Sequence, residues 1–93
     1  PVLVATPFDE VDEAVERAND TPYGLAASVW TRSLSAAHRI VPRLQAGTVW
    51  VNAHNVLDNA LPLGGYKQSG TGRDLGRAAV EGFTELKSVC MAV

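Results

Sequence analysis

The stretch from Gly47 to Gly72 constrains the chain most. It opens Gly-Thr-Val-Trp-Val, a β-branched and aromatic run that reads as a buried strand over Thr48–Val51. From Asn52 the regular pattern stops for about twenty residues, punctuated by Pro62, Gly64, Gly65, Gly70 and Gly72. A loop that long inside a small domain is usually either functional or disordered. Trp50, Val56, Leu57, Leu61, Leu63 and Tyr66 make this one too apolar for a disordered linker. The expectation is an ordered loop that leaves the carboxyl end of a strand and lines something.

The flanking residues supply the scaffold. Val2–Ala5 is a short apolar run ended by Pro7, and reads as a first strand. Asp9 stands where an N-cap belongs, before Val11, Ala14, Val15 and Ala18, which fall at i, i+3, i+4 and i+7 on one helical stripe. Asp9, Glu10, Asp12 and Glu13 place negative charge at the positive end of that helix. Asn19 to Gly24 has turn chemistry, and Leu25–Thr31 reads as the second strand. Ser33 caps a second helix with Leu34, Ala37, Val41 and Leu44 inward; Pro42 should break it near Val41, at a cost of about 3 kcal/mol in a helix interior. Gly47 is expected at C′ of that element. After the loop, Arg73–Phe83 reads as a helix with Leu75, Ala78, Ala79 and Phe83 inward, and Glu85–Val93 as a terminal strand needing a partner edge, offered by another subunit. Strand, helix, strand, helix, strand is an α/β order, with a parallel sheet and helices on its faces. In such sheets ligands bind beyond the carboxyl ends of the strands, where the Asn52–Gly72 loop departs.

Composition narrows the function. A net charge of −2 with interspersed signs offers no footprint for nucleic acid or an anionic membrane, and no apolar run approaches the ~20 residues of a membrane span. The first residues, Pro-Val-Leu-Val-Ala-Thr-Pro, have no Met and no basic region, which reads as a piece of something longer without a signal peptide. The single cysteine, Cys90, rules out an internal disulfide and fits a reducing, cytoplasmic compartment. Cys90 lies in an apolar run with no base nearby, so it reads as a packing residue. Gly65-Tyr-Lys-Gln-Ser-Gly70 begins like a phosphate loop, but Thr71-Gly72 stands where Lys and Ser/Thr belong. Gly70-Thr-Gly72 begins like a dinucleotide fingerprint, but Leu75 takes the third glycine's place. Both patterns fail. His38 reads as a solvated side chain, whereas His54, just past a strand end between Ala53 and Asn55, is a candidate for the site. Arg73, Asp74 and Glu85 fit either surface pairs or a buried or intersubunit network.

Three strings together carry a specific resemblance: Ala18-Asn-Asp-Thr-Pro-Tyr-Gly-Leu-Ala-Ala-Ser-Val-Trp-Thr31, Ala46-Gly-Thr-Val-Trp-Val-Asn52 and Leu61-Pro-Leu-Gly-Gly-Tyr-Lys-Gln-Ser-Gly70. They resemble the C-terminal part of the NAD(P)-dependent aldehyde dehydrogenase superfamily, and Glu81–Val89 resembles its terminal strand. The resemblance implies that residues 1–83 belong to the catalytic domain and 84–93 form an oligomerisation strand, in a homodimer or homotetramer. It implies an aldehyde oxidised through a cysteine thioester with NAD or NADP, the nucleophile and base lying upstream of Pro1. Ala53, His54, Asn55, Val56, Leu57 and Leu63 then match the aldehyde tunnel, and Leu25 a position near the nicotinamide. Lys67 and Gly70 match main-chain ligands of a potassium ion in some members, and Asp74 a charge-relay position that is often glutamate. Arg73 and Glu85 match positions supporting the dimer interface. His54-Asn-Val-Leu-Asp58 is most similar to members acting on aryl or arylalkyl aldehydes. The rival reading is a non-enzymatic α/β binding module that reuses the scaffold.

Overall fold

A two-stranded parallel sheet holds the chain together. The computed structural model describes residues 1–93. In order, the elements are α1 (Val11–Asn19), β1 (Tyr23–Gly24), β2 (Ala26–Val29), α2 (Leu34–Ile40), a 3₁₀ turn (Val41–Arg43), β3 (Thr48–Val51), β4 (Tyr66–Lys67) and α3 (Gly76–Glu81). β2 and β3 pair in parallel with α2 in the connection between them, as the strand–helix–strand order predicts. The register sets Ala26 beside Thr48, Ser28 beside Trp50 and Val29 beside Val51. Because side chains alternate along a strand, the sheet has two distinct faces. On one, Ala27 and Val29 line a cavity with Val11, Val15 and Ile40, so α1 and α2 cover it. Trp50 turns to the other, toward the long loop.

Local chemistry explains the helices. Ser33 caps α2 as expected, its Oγ accepting from the Ala36 N–H at 3.2 Å. Pro42 stops the α-helical ladder, and the chain tightens into the 3₁₀ turn. α1 begins one residue later than expected. Glu10, extended at φ −115° and ψ 143°, is its cap, and Asp9 lies outside, its N–H donating to Glu13 Oε2 at 3.2 Å. Arg43 pairs with Asp12 and holds its carboxyl below the usual range, by hydrogen bond first and charge second. Val15 and Ala37, the buried apolar side chains, are where α1 and α2 press on the sheet.

Around the long loop, four further expectations are corrected. Gly47 does not close a helix. A Cβ there would lie 1.7 Å from the Gly64 carbonyl oxygen, so the glycine allows backbone to touch backbone. The helix expected over Arg73–Phe83 is only Gly76–Glu81, because Asp74 pairs with Leu63 and Leu75 and Gly76 both take positive φ (61° and 57°). Phe83 is therefore 94% exposed rather than inward. Tyr66–Lys67, expected in the loop, pairs antiparallel with Tyr23–Gly24.

The two tails form no strand. Val2–Ala5 and residues 84–93 lie outside the ladders, and Leu3, Leu86 and Met91 are exposed. A strand exists by virtue of a neighbouring edge, and neither tail meets one in this chain. The radius of gyration is 17.9 Å, against about 12 Å for a compact chain of this length. The accessible surface of 7893 Å² likewise exceeds the roughly 5,200 Å² of a compact monomer of this mass.

Candidate functional site

The loop's entry is fixed by Asn52. Its φ of 53° is left-handed, a conformation asparagine tolerates better than most residues. Its backbone N–H donates to Val29 O at 2.9 Å, its Oδ1 accepts from the Thr31 N–H and its Nδ2 donates to Thr31 O, both at 2.8 Å. The side chain thus replaces one more rung of ladder and ties together the carboxyl ends of β2 and β3. The sequence marked Asn52 only as the end of a strand.

Beyond it the candidate wall takes shape. Trp50 Nε1 donates to the Val56 carbonyl at 2.7 Å, and the His54 ring stands edge-on to the indole with centroids 5.5 Å apart. His54 Nδ1 and Ser28 Oγ share a hydrogen bond of 2.9 Å. Ala53, Val56, Leu57 and Leu63 line a cavity of about 390 Å³ together with Trp50 and Leu61. Asn55 turns the segment between His54 and Val56 with φ 56°. Leu63 then exchanges backbone hydrogen bonds of 2.7 Å with Asp74 in both directions.

Leu63 also borders a second cavity, of about 450 Å³, which Leu25 lines from the other side along with Gly65, Arg73 and Phe83. The structure therefore brings Leu25 and Leu63 to one opening. Arg73 holds its rim: Nη1 donates to Gly65 O at 2.9 Å and Gly72 O at 2.8 Å, and the guanidinium lies 5.6 Å from the Tyr66 ring centroid. It pairs with neither Asp74 nor Glu85 within this chain, so the surface pairs weighed from the sequence do not form. Asp74 is exposed, and its backbone is what the site uses.

Lys67 and Gly70 sit in one turn. Lys67 has φ 52°, and its carbonyl accepts from the Gly70 N–H at 3.4 Å. Hard cations collect about six to eight oxygens, and two main-chain carbonyls supply only a part of such a shell. No His, Cys, Asp and Glu cluster with metal-holding geometry adds to them. The Lys67 ammonium instead donates to Asn19 O at 2.7 Å and Thr21 O at 3.1 Å, at the negative end of α1. For a dinucleotide, the residues present fit as an apolar neighbour only: Leu25 is half-exposed, and the glycine turns lack a phosphate-loop sequence.

Comparison with known proteins agrees with this arrangement. The aldehyde dehydrogenase family model matches residues 1–89. The chain belongs to the aldehyde dehydrogenase family. It is 60% identical over 89 residues to a putative aldehyde dehydrogenase, DhaS, of Bacillus subtilis (strain 168), covering 96% of this chain and 18% of that protein. It is 56% identical over 92 residues to a phenylacetaldehyde dehydrogenase of Pseudomonas fluorescens, covering 99% and 18%. Among solved structures, the NAD⁺ complex of an aldehyde dehydrogenase from Bacillus cereus superposes with a TM-score of 0.92 at 53% identity, over 96% of this chain and 18% of that one. The chain thus spans about a fifth of the length of the aldehyde dehydrogenases it matches. No helix is long and apolar enough to cross a membrane.

Sequence reading missed Ser28 and Trp50 as supports of the site. A serine amid Ala26, Ala27 and Val29 is the one visible signal, and its partner lies 26 positions away.

Proposed function

We propose that this chain is the C-terminal segment of an aldehyde dehydrogenase subunit that oxidises an aldehyde to a carboxylate with NAD or NADP. The supporting observation is Leu63, which borders both the cavity lined by Ala53, Val56 and Leu57 and the one lined by Leu25. In this reading the first cavity is a wall of the aldehyde tunnel and the second opens toward the nicotinamide. The cofactor supplies the hydride acceptor when bound. This chain's residues bind and orient the aldehyde and keep water from it, while the thioester-forming cysteine and the base lie elsewhere in the protein. Cys90, expected as a packing residue, is instead exposed in the unpaired tail.

Aryl or arylalkyl aldehydes suit the wall, which is apolar with an indole and an imidazole at its edge. Similarity to the phenylacetaldehyde dehydrogenase supports the same class. Residues 84–93 would pair with a neighbouring subunit in a homodimer or homotetramer of the cytoplasm, giving the exposed Leu86, Val89 and Met91 a partner. Asp74 as charge relay, and Lys67 and Gly70 as carbonyl ligands of potassium, remain assignments by family position.

The test is a chimera. This segment replaces its counterpart in the Bacillus cereus enzyme, and NADH formation is followed with phenylacetaldehyde and with acetaldehyde. The expected result is turnover with kcat/KM about tenfold or more higher for phenylacetaldehyde, and none from the 93-residue chain alone. Turnover by the isolated chain, or binding of a partner protein without any activity in the chimera, would overturn the reading in favour of another enzyme or a binding module.

A further inference from the structure

The segment from Ala53 to Leu57 has an unusual support. It makes no backbone–backbone hydrogen bond, and four of its five residues are exposed. Two side-chain contacts from the sheet hold it instead: Trp50 Nε1 to the Val56 carbonyl at 2.7 Å, and Ser28 Oγ to His54 Nδ1 at 2.9 Å. Ser28 and Trp50 are register partners on adjacent parallel strands. Register partners present their side chains to the same face, so the two anchors rise side by side from one rung of the sheet. The His54 ring then stands against the Trp50 indole at an interplanar angle of 65°. Serine, imidazole and indole form one connected support, and the wall residues Val56 and Leu57 follow directly from it.

We propose that Ser28 is a positioning residue for substrate selection: by holding the His54 imidazole it sets where the Val56–Leu57 wall stands, and so which aldehydes fit. The proposal rests on the tunnel reading given above. Ser28 does not touch the substrate, and acts through His54. A loop with two hydrogen-bonded anchors that loses one keeps its path but gains freedom, and the binding of a ligand that must press on the wall then bears the cost of ordering it. A short aldehyde that does not reach the wall escapes that cost.

The test uses the chimeric enzyme as wild type, Ser28→Ala, Ser28→Thr, His54→Gln and the double variant Ser28→Ala/His54→Gln. KM and kcat are measured for phenylacetaldehyde and acetaldehyde. Ser28→Ala should raise KM for phenylacetaldehyde about five- to tenfold, the scale of one hydrogen bond, with kcat and the acetaldehyde KM within about twofold. Ser28→Thr, which keeps the hydroxyl, should restore most of the loss. The double variant should be no worse than the poorer single one, because both remove the same contact. Crystal structures should show the His54 ring turned or disordered in Ser28→Ala and in place in Ser28→Thr. Equal loss for both aldehydes, unchanged kinetics in Ser28→Ala, or additive effects in the double variant would overturn the role of Ser28 while leaving the tunnel intact. A wild-type chimera that does not distinguish the two aldehydes would overturn the tunnel reading, and this proposal with it.

Discussion

Gly47 and Gly72 make a controlled pair for the contact on which the site's geometry depends. Gly47 precedes β3, and a Cβ added there would lie 1.7 Å from Gly64 O, 2.8 Å from Gly64 C and 3.4 Å from Gly65 Cα. All three are backbone atoms, so no side chain can swing aside. Real Cβ atoms essentially never come within 3.0 Å of such an atom, so the two backbone segments would have to separate by about 1.3 Å. Gly64 follows Leu63, whose hydrogen bonds to Asp74 fasten that turn to the start of α3, so the displacement would be carried into the candidate wall. Overpacking of this kind costs about 1–3 kcal/mol when side chains can adjust, and a backbone clash belongs at or above the top of that range. At Gly72 nothing lies within 4 Å of the added Cβ, and the backbone is not left-handed. The assay is urea denaturation of the chimeric enzyme with Gly47→Ala or Gly72→Ala, together with phenylacetaldehyde turnover. Gly47→Ala should lose about 3 kcal/mol or more, or fail to give soluble enzyme, and any folded fraction should show altered KM. Gly72→Ala should stay within about 0.5 kcal/mol of wild type. Equal midpoints for the two variants would refute the claim that Gly47 is there for close approach to Gly64.

Two further predictions follow from local chemistry. Asn52→Ala should cost about 2–4 kcal/mol in the same denaturation assay, combining two hydrogen bonds to Thr31 with the strain of alanine at φ 53°; Asn52→Gly removes the strain and should cost about 1–2 kcal/mol less than Asn52→Ala. Asp12 is held below its usual pKa by Arg43, so its contribution is present above the unfolded value of 3.8 and lost as pH falls through the folded one. Asp12→Asn should therefore weaken the enzyme slightly near neutral pH, less so at high salt, and not at all once the wild-type carboxyl is protonated, as read from urea midpoints across that range.

Signals carried by neighbouring residues were legible. Ser33 and Pro42 set the start and the break of α2 through their own chemistry, and the apolar runs at Leu25–Thr31 and Thr48–Val51 gave the parallel pair, the first trimmed to Ala26–Val29. What escaped sequence reading depends on distant partners. The shortening of α3 follows from Asp74 pairing with Leu63, and the Tyr66–Lys67 strand exists because Tyr23–Gly24 lies beside it. Neither pairing is written in the local pattern, since two residues have no periodicity. The tails are the converse case. Both carry strand-like sequences, but propensity supplies no edge to pair with.

The candidate wall separates shape from stability. Val56 and Leu57 are 65% and 53% exposed, so little of the fold's free energy rests on burying them. Their positions are determined one step back, by Asn52 at the mouth of the sheet and by the Ser28–Trp50 rung beneath the loop. Substitutions at Val56, Leu57 or Leu63 change the lining of the cavity while those supports stand. Changes at Asn52 or Ser28 move the surface without altering its composition, whereas a change at Trp50, which also lines the cavity, does both. A wall built this way can be resurfaced at small cost to folding, because the sheet and its clamps, not the lining, hold the loop in place.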